Sequence, residues 1–309
     1  MPAAKTPREW LAGQIGFLSK WGDEASAIEP LVTHEYSAHT GLKLAALNHA
    51  IGVFSPIAAG AVSRGLYDRM VYLDLFAGCG LNTLRATGDR LAGSPVIAAH
   101  AKSAFDHIVC IERRKDYCRV LRRRLELSGA KSYEVLEGDC NSIAPAWSQG
   151  ESTRSIVFVN VDPEGMETRW STIQALSERF SAADFFVNFT FGAEREHAAA
   201  KSTGRPSPVL EDLTGLDLED IVLGPNREVS DIYQERIRSV LGRVVGDSTL
   251  IRTEGNQPLY RVLVYGRRTR GGSPWGKAYG AIHERLSALA PVDVRGALNT
   301  IKGRGIESW

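Results

Sequence analysis

Five short apolar stretches that alternate with helical stretches constrain the fold more than any other feature of this sequence. The apolar stretches are Met70–Phe76, His107–Glu112, Ser132–Glu137, Ser155–Val161 and Asp184–Phe189. The segments between them have helical periodicity and are Ser94–Ser103, Lys115–Ser128, Asn141–Trp147 and Arg169–Phe180. Apolar strands that alternate with helices are typical of βαβ units, in which helices cover both faces of a parallel sheet.

Two further strands are predicted in the C-terminal third of the chain. Val244–Thr253 and Pro258–Tyr265 flank a turn at residues 254–257, which indicates an antiparallel hairpin. The sequence therefore predicts an α/β fold with a doubly wound, mostly parallel sheet of seven strands. A last helix is predicted around Lys277–Ala290.

The first 66 residues have a different, helical pattern. A short amphipathic helix begins at Pro7 and is expected to stop near Gly22, and a longer one runs from about Ser37 to Phe54 and is expected to break at Pro56. We therefore predict a helical N-terminal extension over residues 1–66 and a main domain over residues 67–309.

Composition excludes several classes of protein. The apolar fraction of 43% and the charged fraction of 24% are those of a globular chain, not of a disordered, fibrous or disulfide-built one. No stretch reaches the roughly 18 uninterrupted apolar residues of a membrane span, and the N-terminus has no apolar leader region. We expect a cytoplasmic protein that does not bind a membrane. The net charge of +1 leaves its partner open.

A glycine-rich turn follows the first strand. Asp74 ends the strand, and Phe76-Ala77-Gly78-Cys79-Gly80 follows it. The glycines allow a sharp turn and a close approach to a ligand, which in open α/β sheets binds at the carboxyl ends of the strands. The turn matches neither phosphate-binding loop pattern, and an acidic residue beside it favours a cation over a phosphate.

Acidic residues also end the next three strands. These are Glu112, Asp139 and Asp162, the last within Asp162-Pro163-Glu164-Gly165. A carboxylate at the position of Glu112 can accept bidentate hydrogen bonds from two ribose hydroxyls, and Asp139 can hold an adenine amino group. Four acids at successive strand ends indicate one ligand site along a single edge of the sheet.

These residues resemble the motifs of class I S-adenosylmethionine-dependent methyltransferases. More narrowly, the sequence resembles the three-Cys-motif partner protein family over roughly residues 35–270, with Lys43 in the helical lead-in and Gly93-Ser94-Pro95 after the glycine turn. The resemblance implies a Rossmann-like methyltransferase fold and S-adenosyl-L-methionine as cofactor. It implies that the cofactor is bound by Asp74, Phe76, Gly78, Gly80, Glu112, Asp139 and Cys140. A packing role for the Cys79 and Cys140 thiols is the alternative.

The fourth strand end suggests the reaction. A carboxylate there can accept hydrogen bonds from an amine and aim its lone pair at the methyl group, so Asp162 is predicted to orient the acceptor and Glu164 to act as general base. Glu164 stands where an aromatic residue is expected, which removes a stacking partner for a flipped base. We predict transfer to an amine of a nucleic-acid base. Transfer to a small molecule or peptide, and a catalytically silent cofactor-binding partner subunit, stay open.

Two further segments and a set of arginines are candidates for binding the cofactor, the acceptor or a partner. The long segment Leu81–Ala92 is predicted to cover the cofactor or shape the acceptor pocket, unless it is a surface excursion. The acidic segment 192–242, which lacks clear periodicity before residue 226, is predicted to be an inserted cap that selects substrate or docks a protein partner. Contacts to RNA or DNA are predicted for Arg113, Arg114, Arg122, Arg123, Arg267 and Arg268, with a solvated helix face as the alternative for the first four. Neither the four cysteines nor the seven histidines have metal-ligand spacing, so no metal site is predicted.

Overall fold

The strands and helices of the chain are described in a computed structural model over residues 5–224, 227–267 and 274–304. The strands are β1 (His34–Tyr36), β2 (Met70–Asp74), β3 (Leu81–Leu84), β4 (Arg90–Ala92), β5 (His107–Glu112), β6 (Tyr133–Glu137), β7 (Ile156–Val161), β8 (Ala183–Thr190), β9 (Val244–Val245), β10 (Thr249–Arg252) and β11 (Pro258–Gly266). The helices are α1 (Pro7–Ala25), α2 (Ala38–Ser63), α3 (Ser94–Ala99), α4 (Lys115–Leu127), α5 (Cys140–Gly150), α6 (Trp170–Arg179), α7 (Gly192–Thr203), α8 (Pro208–Thr214), α9 (Val229–Ser239), α10 (Pro274–Ser287) and α11 (Pro291–Ile301).

The main sheet has seven strands in the order β10-β11-β8-β7-β2-β5-β6, and the short β9 pairs with the end of β11. The neighbours β8, β7, β2, β5 and β6 are parallel, whereas β11 is antiparallel to both β8 and β10. The predicted mostly parallel seven-stranded α/β fold is confirmed. The single strand predicted from Val244 to Thr253 is wrong in one respect, because β9 and β10 are separate strands.

Helices cover both faces of this sheet because successive side chains of a buried strand point to opposite faces. On β2, Met70 and Tyr72 belong to a hydrophobic cluster that includes side chains of α1 to α4, α10 and α11. Val71 and Leu73 belong to the cluster on the other face, with side chains of α5 to α9. The parallel strands are therefore sandwiched between two apolar layers, as their unbroken apolar runs predict.

The N-terminal helices are longer than predicted. Helix α1 runs to Ala25 past Gly22, and α2 continues through Pro56 to Ser63. A proline inside a helix costs one hydrogen bond, but Phe54 and Ala58 on the same stretch are completely buried, and the Phe54 ring packs edge-on against Phe158 of β7 at 5.1 Å. Tertiary packing therefore keeps the helix intact. The domain division at residue 67 stays a prediction.

Helix α2 is also the one helix in the described part of the chain that is long and apolar enough to cross a membrane by length and composition. Its most apolar window of 18 residues is 50% buried inside the fold. This burial is typical of a core helix that lies against a sheet.

Two predicted loops have regular structure. Residues 81–92 form the hairpin β3–β4, and β1 of the N-terminal segment pairs in parallel with β3, His34 opposite Asn82. Residues 192–226 contain α7, α8 and a 3-10 turn at Leu218–Asp220, so the absence of clear periodicity was misleading there. A serine N-cap, Ser207, begins α8, and Gly204 with φ of 62° ends α7.

Candidate active site

Asp74 lies at the carboxyl end of β2 and is completely buried. Its carboxylate accepts hydrogen bonds from the Tyr72 hydroxyl at 2.8 Å, the Asn160 amide at 3.1 Å and the Phe76 backbone N–H at 3.2 Å, and also from the Ser94 side chain. Burial raises the pKa of Asp74 to about 6 in spite of these bonds. Asp74 therefore fixes the turn that follows it by accepting from the Phe76 backbone N–H. A direct contact between Asp74 and a ligand stays a prediction.

Glycine is required within the glycine turn and beside it, for two separate reasons. Gly78 and Gly80 have φ angles of 61° and 79°, which side chains other than glycine rarely adopt. Gly93 lies against this turn, where its N–H donates to the Gly80 carbonyl at 2.9 Å. A Cβ on Gly93 would lie 2.8 Å from the Gly80 backbone, so only glycine fits there. Helix α3 accordingly begins at Ser94, with Gly93 as its N-cap.

Glu112 joins the end of β5 to the same turn. One carboxylate oxygen accepts from the Gly78 N–H at 2.9 Å and the other from the Arg114 N–H at 2.7 Å. A carboxylate offers about four lone-pair positions, so two of them stay available for a ligand. The Glu112 side chain is half-buried, and no atom lies within 4 Å of a Cβ placed on Gly78. Open space therefore adjoins both groups.

Asp139 and Cys140 lie at the next strand end, where α5 begins. Asp139 is half-buried and caps α5 by accepting from the Asn141 N–H at 3.2 Å. The Cys140 thiol is 3% exposed, and burial raises its pKa to about 12. Cys79 is 1% exposed and donates to the Leu81 carbonyl. Both thiols are therefore placed as packing groups, and binding by Cys140 stays a prediction.

Asp162, at the end of β7, is held by two side chains that come from distant parts of the chain. The Lys43 ammonium of α2 lies 2.9 Å and 2.8 Å from its two carboxylate oxygens, and the Asn188 amide of β8 donates to one of them at 2.8 Å. The Lys43 and Asp162 side chains are each 18% exposed. Sequence reasoning placed Lys43 in the lead-in but assigned no role to it or to Asn188. No local pattern marks either residue.

The orientation of the Asn188 side-chain amide follows from its hydrogen bond to Asp162. Only its nitrogen can donate to the Asp162 carboxylate, so its oxygen must point away. That oxygen is buried and has no hydrogen-bond partner among the described residues. Asn188 is 4% exposed, so its side chain is packed into the wall of the site.

Glu164 lies at the outer side of this site. Its side chain is 84% exposed, and the nearest basic group is the His34 ring, 3.8 Å away. The structure thus brings Glu112, Asp139 and Asp162 to one edge of the sheet, with Asp74 beneath it and Glu164 in solvent.

Arg124 of α4 is a further residue that the sequence analysis did not identify. It is completely buried and donates to the backbone carbonyls of Ala25, Cys79, Ile28, Glu29 and Val32 at 2.7 to 3.2 Å. It thereby connects the glycine turn to the segment between α1 and β1. The apolar positions around it in the sequence do not reveal this role.

The arginines predicted to contact nucleic acid have intramolecular partners in several cases. Arg122 donates to the Val135 carbonyl at 2.6 Å, and Arg123 pairs with Glu29 at 2.8 Å. Arg268 lies outside the described residues. Contacts of this set to RNA or DNA stay a prediction.

A cavity of about 450 Å³ lies beside the start of α2. Its lining includes Ser37, His39, Arg85, Thr253, Glu254 and Arg295. Within the described residues, no group of three or more His, Cys, Asp or Glu side chains is arranged to hold a metal ion.

The fold is shared with a solved structure. A Legionella pneumophila protein matched by the family model DUF519 aligns at a TM-score of 0.50 and 13% identity over 78% of this chain and 90% of its own. The chain shares the mixed α/β fold of that protein. At this identity the likeness concerns the fold alone.

Two enzymes aligned at lower scores carry bound cofactors in their structures. An O-methyltransferase from Bacillus cereus in complex with SAH aligns at a TM-score of 0.40 and 11% identity, over 80% of this chain and 99% of its own. TYW2 from M. jannaschii in complex with AdoMet aligns at 0.34 and 11%, over 70% of this chain and 78% of its own. No protein-family model matches the sequence, and no curated protein matches it either. The resemblance to the three-Cys-motif partner family stays a prediction.

Proposed function

We propose that this chain is an S-adenosylmethionine-dependent methyltransferase that transfers the methyl group to an amine of a nucleic-acid base. The observation that carries the proposal is the Asp162 carboxylate, fixed by Lys43 and Asn188 at the same sheet edge as Glu112. A fixed carboxylate beside a cofactor site is what orientation of an amine requires. An O-methyl acceptor would need a base and has less use for a paired carboxylate.

The residues at the edge of the sheet fit the cofactor. Glu112 keeps two lone-pair positions for ribose hydroxyls, Gly78 leaves open space beside it, and Asp139 is available at the neighbouring strand end for an adenine amino group. Phe76 is half-buried in the turn between them. When bound there, S-adenosylmethionine supplies an activated methyl group on a cationic sulfur.

The remaining chemistry belongs to the chain's own side chains. Asp162 accepts a hydrogen bond from the acceptor N–H, which aims the nitrogen lone pair at the methyl carbon. Lys43 and Asn188 keep the carboxylate from rotating. A cofactor held at this edge would supply the methyl group, and the proton that the amine gives up would pass to Asp162 or to water. Glu164, which is exposed, is a candidate to carry that proton to solvent.

A second candidate function is supported by the same contacts. Lys43 pairs with both oxygens of Asp162 and Asn188 donates to one of them, so about three of the four lone-pair positions of the carboxylate are taken. A chain that binds the cofactor without transferring its methyl group, as a subunit beside another enzyme, would retain such a pair.

Calorimetry and a transfer assay separate these functions. We expect wild type to bind both S-adenosylmethionine and S-adenosylhomocysteine, Glu112→Ala to weaken both, and Glu126→Ala on the exposed face of α4 to leave both unchanged. Heat from neither ligand would reject the cofactor. With radiolabelled cofactor and total RNA, DNA, peptides and small molecules, label in nucleic acid that disappears in Asp162→Asn supports the proposal. Label in peptides or small molecules alone rejects the acceptor, and binding without label indicates the silent subunit.

A further inference from the structure

The cavity beside α2 lies at the same edge of the sheet as the proposed active site. It is lined by the turn between β10 and β11, and β11 pairs with β8 so that Tyr260 lies opposite Thr190, the last residue of β8. The carboxyl end of β8 is at the edge that carries Asp162 and Glu112. Ligands of open α/β sheets bind at this edge.

A continuous row of side chains joins the cavity to Asp162. His39 lines the cavity, and Lys43 follows it four residues later, on the same face of α2 and about 6 Å along the helix axis. Tyr260 connects the two, because its hydroxyl donates to the His39 carbonyl at 3.1 Å and its ring centre lies 5.7 Å from the Lys43 ammonium. Lys43 in turn pairs with Asp162. The His39, Tyr260 and Lys43 side chains therefore connect the cavity to the Asp162 carboxylate.

The His39 ring lines the cavity, and the Tyr260 ring packs behind it. The His39 and Tyr260 rings meet edge to face at 6.2 Å. Burial and the neighbouring Lys43 lower the pKa of His39, which favours the neutral form of its ring. A neutral imidazole ring can stack on a base, as aromatic side chains do in proteins that bind unpaired nucleotides.

Two arginines on separate elements also line the cavity. Arg85 follows β3 and pairs with Glu35 at 3.3 Å, where both side chains are about two-thirds exposed at 67% and 64%. Arg295 of α11 pairs with Glu254 of the β10–β11 turn. Exposed ion pairs of this kind contribute little to stability, so a phosphate oxygen can replace the carboxylates at small cost.

We propose that this cavity is the acceptor subsite and that it binds a nucleotide of a single-stranded nucleic acid. The base lies against His39 with its amine toward Asp162, and the phosphate lies between Arg85 and Arg295. The proposal rests on the function proposed above and names its acceptor site. It places nucleic-acid contacts on arginines other than those of the α4 face.

Fluorescence anisotropy with labelled single-stranded RNA and DNA of mixed sequence tests this subsite without a turnover assay. We expect the double variant Arg85→Ala/Arg295→Ala to bind the oligonucleotide about tenfold more weakly or worse. The slope of log affinity against log salt should be shallower by about 0.7, since the phosphate between the two arginines counts as one phosphate contact. Ala86→Trp, at the exposed mouth of the cavity, should weaken binding by filling it.

Arg154→Ala is the matched control. Arg154 is also an exposed, ion-paired arginine, bound to Asp68 at 2.8 Å, but it precedes β7 and so lies at the opposite edge of the sheet. The oligonucleotide affinity of Arg154→Ala, and the slope of its log affinity against log salt, should equal those of wild type.

Three results overturn the subsite. They are wild-type protein that binds neither oligonucleotide, a double variant with the affinity and salt slope of wild type, and a loss in Arg154→Ala as large as in the double variant. Calorimetry with S-adenosylmethionine on the same proteins keeps the two proposals apart. Normal cofactor heat with an unaffected oligonucleotide slope rejects the subsite alone, whereas absent cofactor heat in wild type rejects the function.

Discussion

Replacement of Arg124 by methionine removes the group that connects the glycine turn to the N-terminal segment. Methionine keeps an unbranched stem of similar length but donates no hydrogen bonds. Five backbone carbonyls lose a donor, among them that of Cys79 inside the turn, 2.8 Å from the guanidinium. Because this guanidinium is completely buried, no water replaces it without local opening.

The size of the effect follows from which carbonyls stay unpaired. The Ala25 and Glu29 carbonyls also accept backbone N–H groups, from Ile28 and Val32. The Cys79 and Ile28 carbonyls have no second partner in the part of the chain that the structure describes. A buried unsatisfied carbonyl costs about 1–3 kcal/mol, and removal of a buried charge returns part of that. We expect the free energy of unfolding to fall by about 3 kcal/mol.

Urea unfolding measures this change, with an unaltered m-value as the sign that the folded state stays compact. Arg123→Met is the control, because Arg123 lies one position away, is exposed and pairs with Glu29, and its loss should cost at most about 0.5 kcal/mol. In calorimetry Arg124→Met should also bind S-adenosylmethionine at least tenfold more weakly, since the turn loses its anchor. A variant within 1 kcal/mol of wild type, roughly the size of one hydrogen bond, would refute the reasoning.

Three further predictions concern the site. Lys43→Met should lower kcat about 100-fold with unchanged cofactor affinity, because the Asp162 carboxylate is then no longer held in one orientation. Lys43→Arg should recover part of the rate. Equal steady-state kinetics in wild type and both variants would contradict this prediction. The pKa of Asp74 is about 6 in the folded protein against 3.8 normally, so the folded state holds its proton between these values, and stability should fall by about 2 kcal/mol as pH rises from 4 to 6. Asp74→Asn should lack this part of the slope in urea titrations at each pH. Gly93→Ala should destabilise the fold by about 1–3 kcal/mol and so lower its melting temperature, because the added Cβ would meet the Gly80 backbone. Gly13→Ala, where the Cβ enters open space beside α1, should leave the melting temperature unchanged. Similar melting temperatures for the two variants would show that the glycine turn can shift to accept the Cβ.

Much of the sheet was predictable from local patterns. The strand His107–Glu112 has the predicted bounds, and the hairpin was recognised from the turn between two apolar runs. Strand β1 was not predicted, since three residues that pair with β3 leave too short a pattern. The continuation of α2 past Pro56 was also missed, because the packing that supports it comes from the sheet.

The sequence by itself determined the order of strands and helices, the glycine turn and the acids that end the strands, because each depends on residues near one another in the chain. Only the tertiary structure decided what those acids do. The Lys43–Asp162 pair joins residues 119 positions apart, and Arg124 looks like one more charge on a helix until the segment around Ala25 folds over it. Contacts between distant residues leave no periodicity in the chain, because the spacing between them is set by how the helices and strands pack.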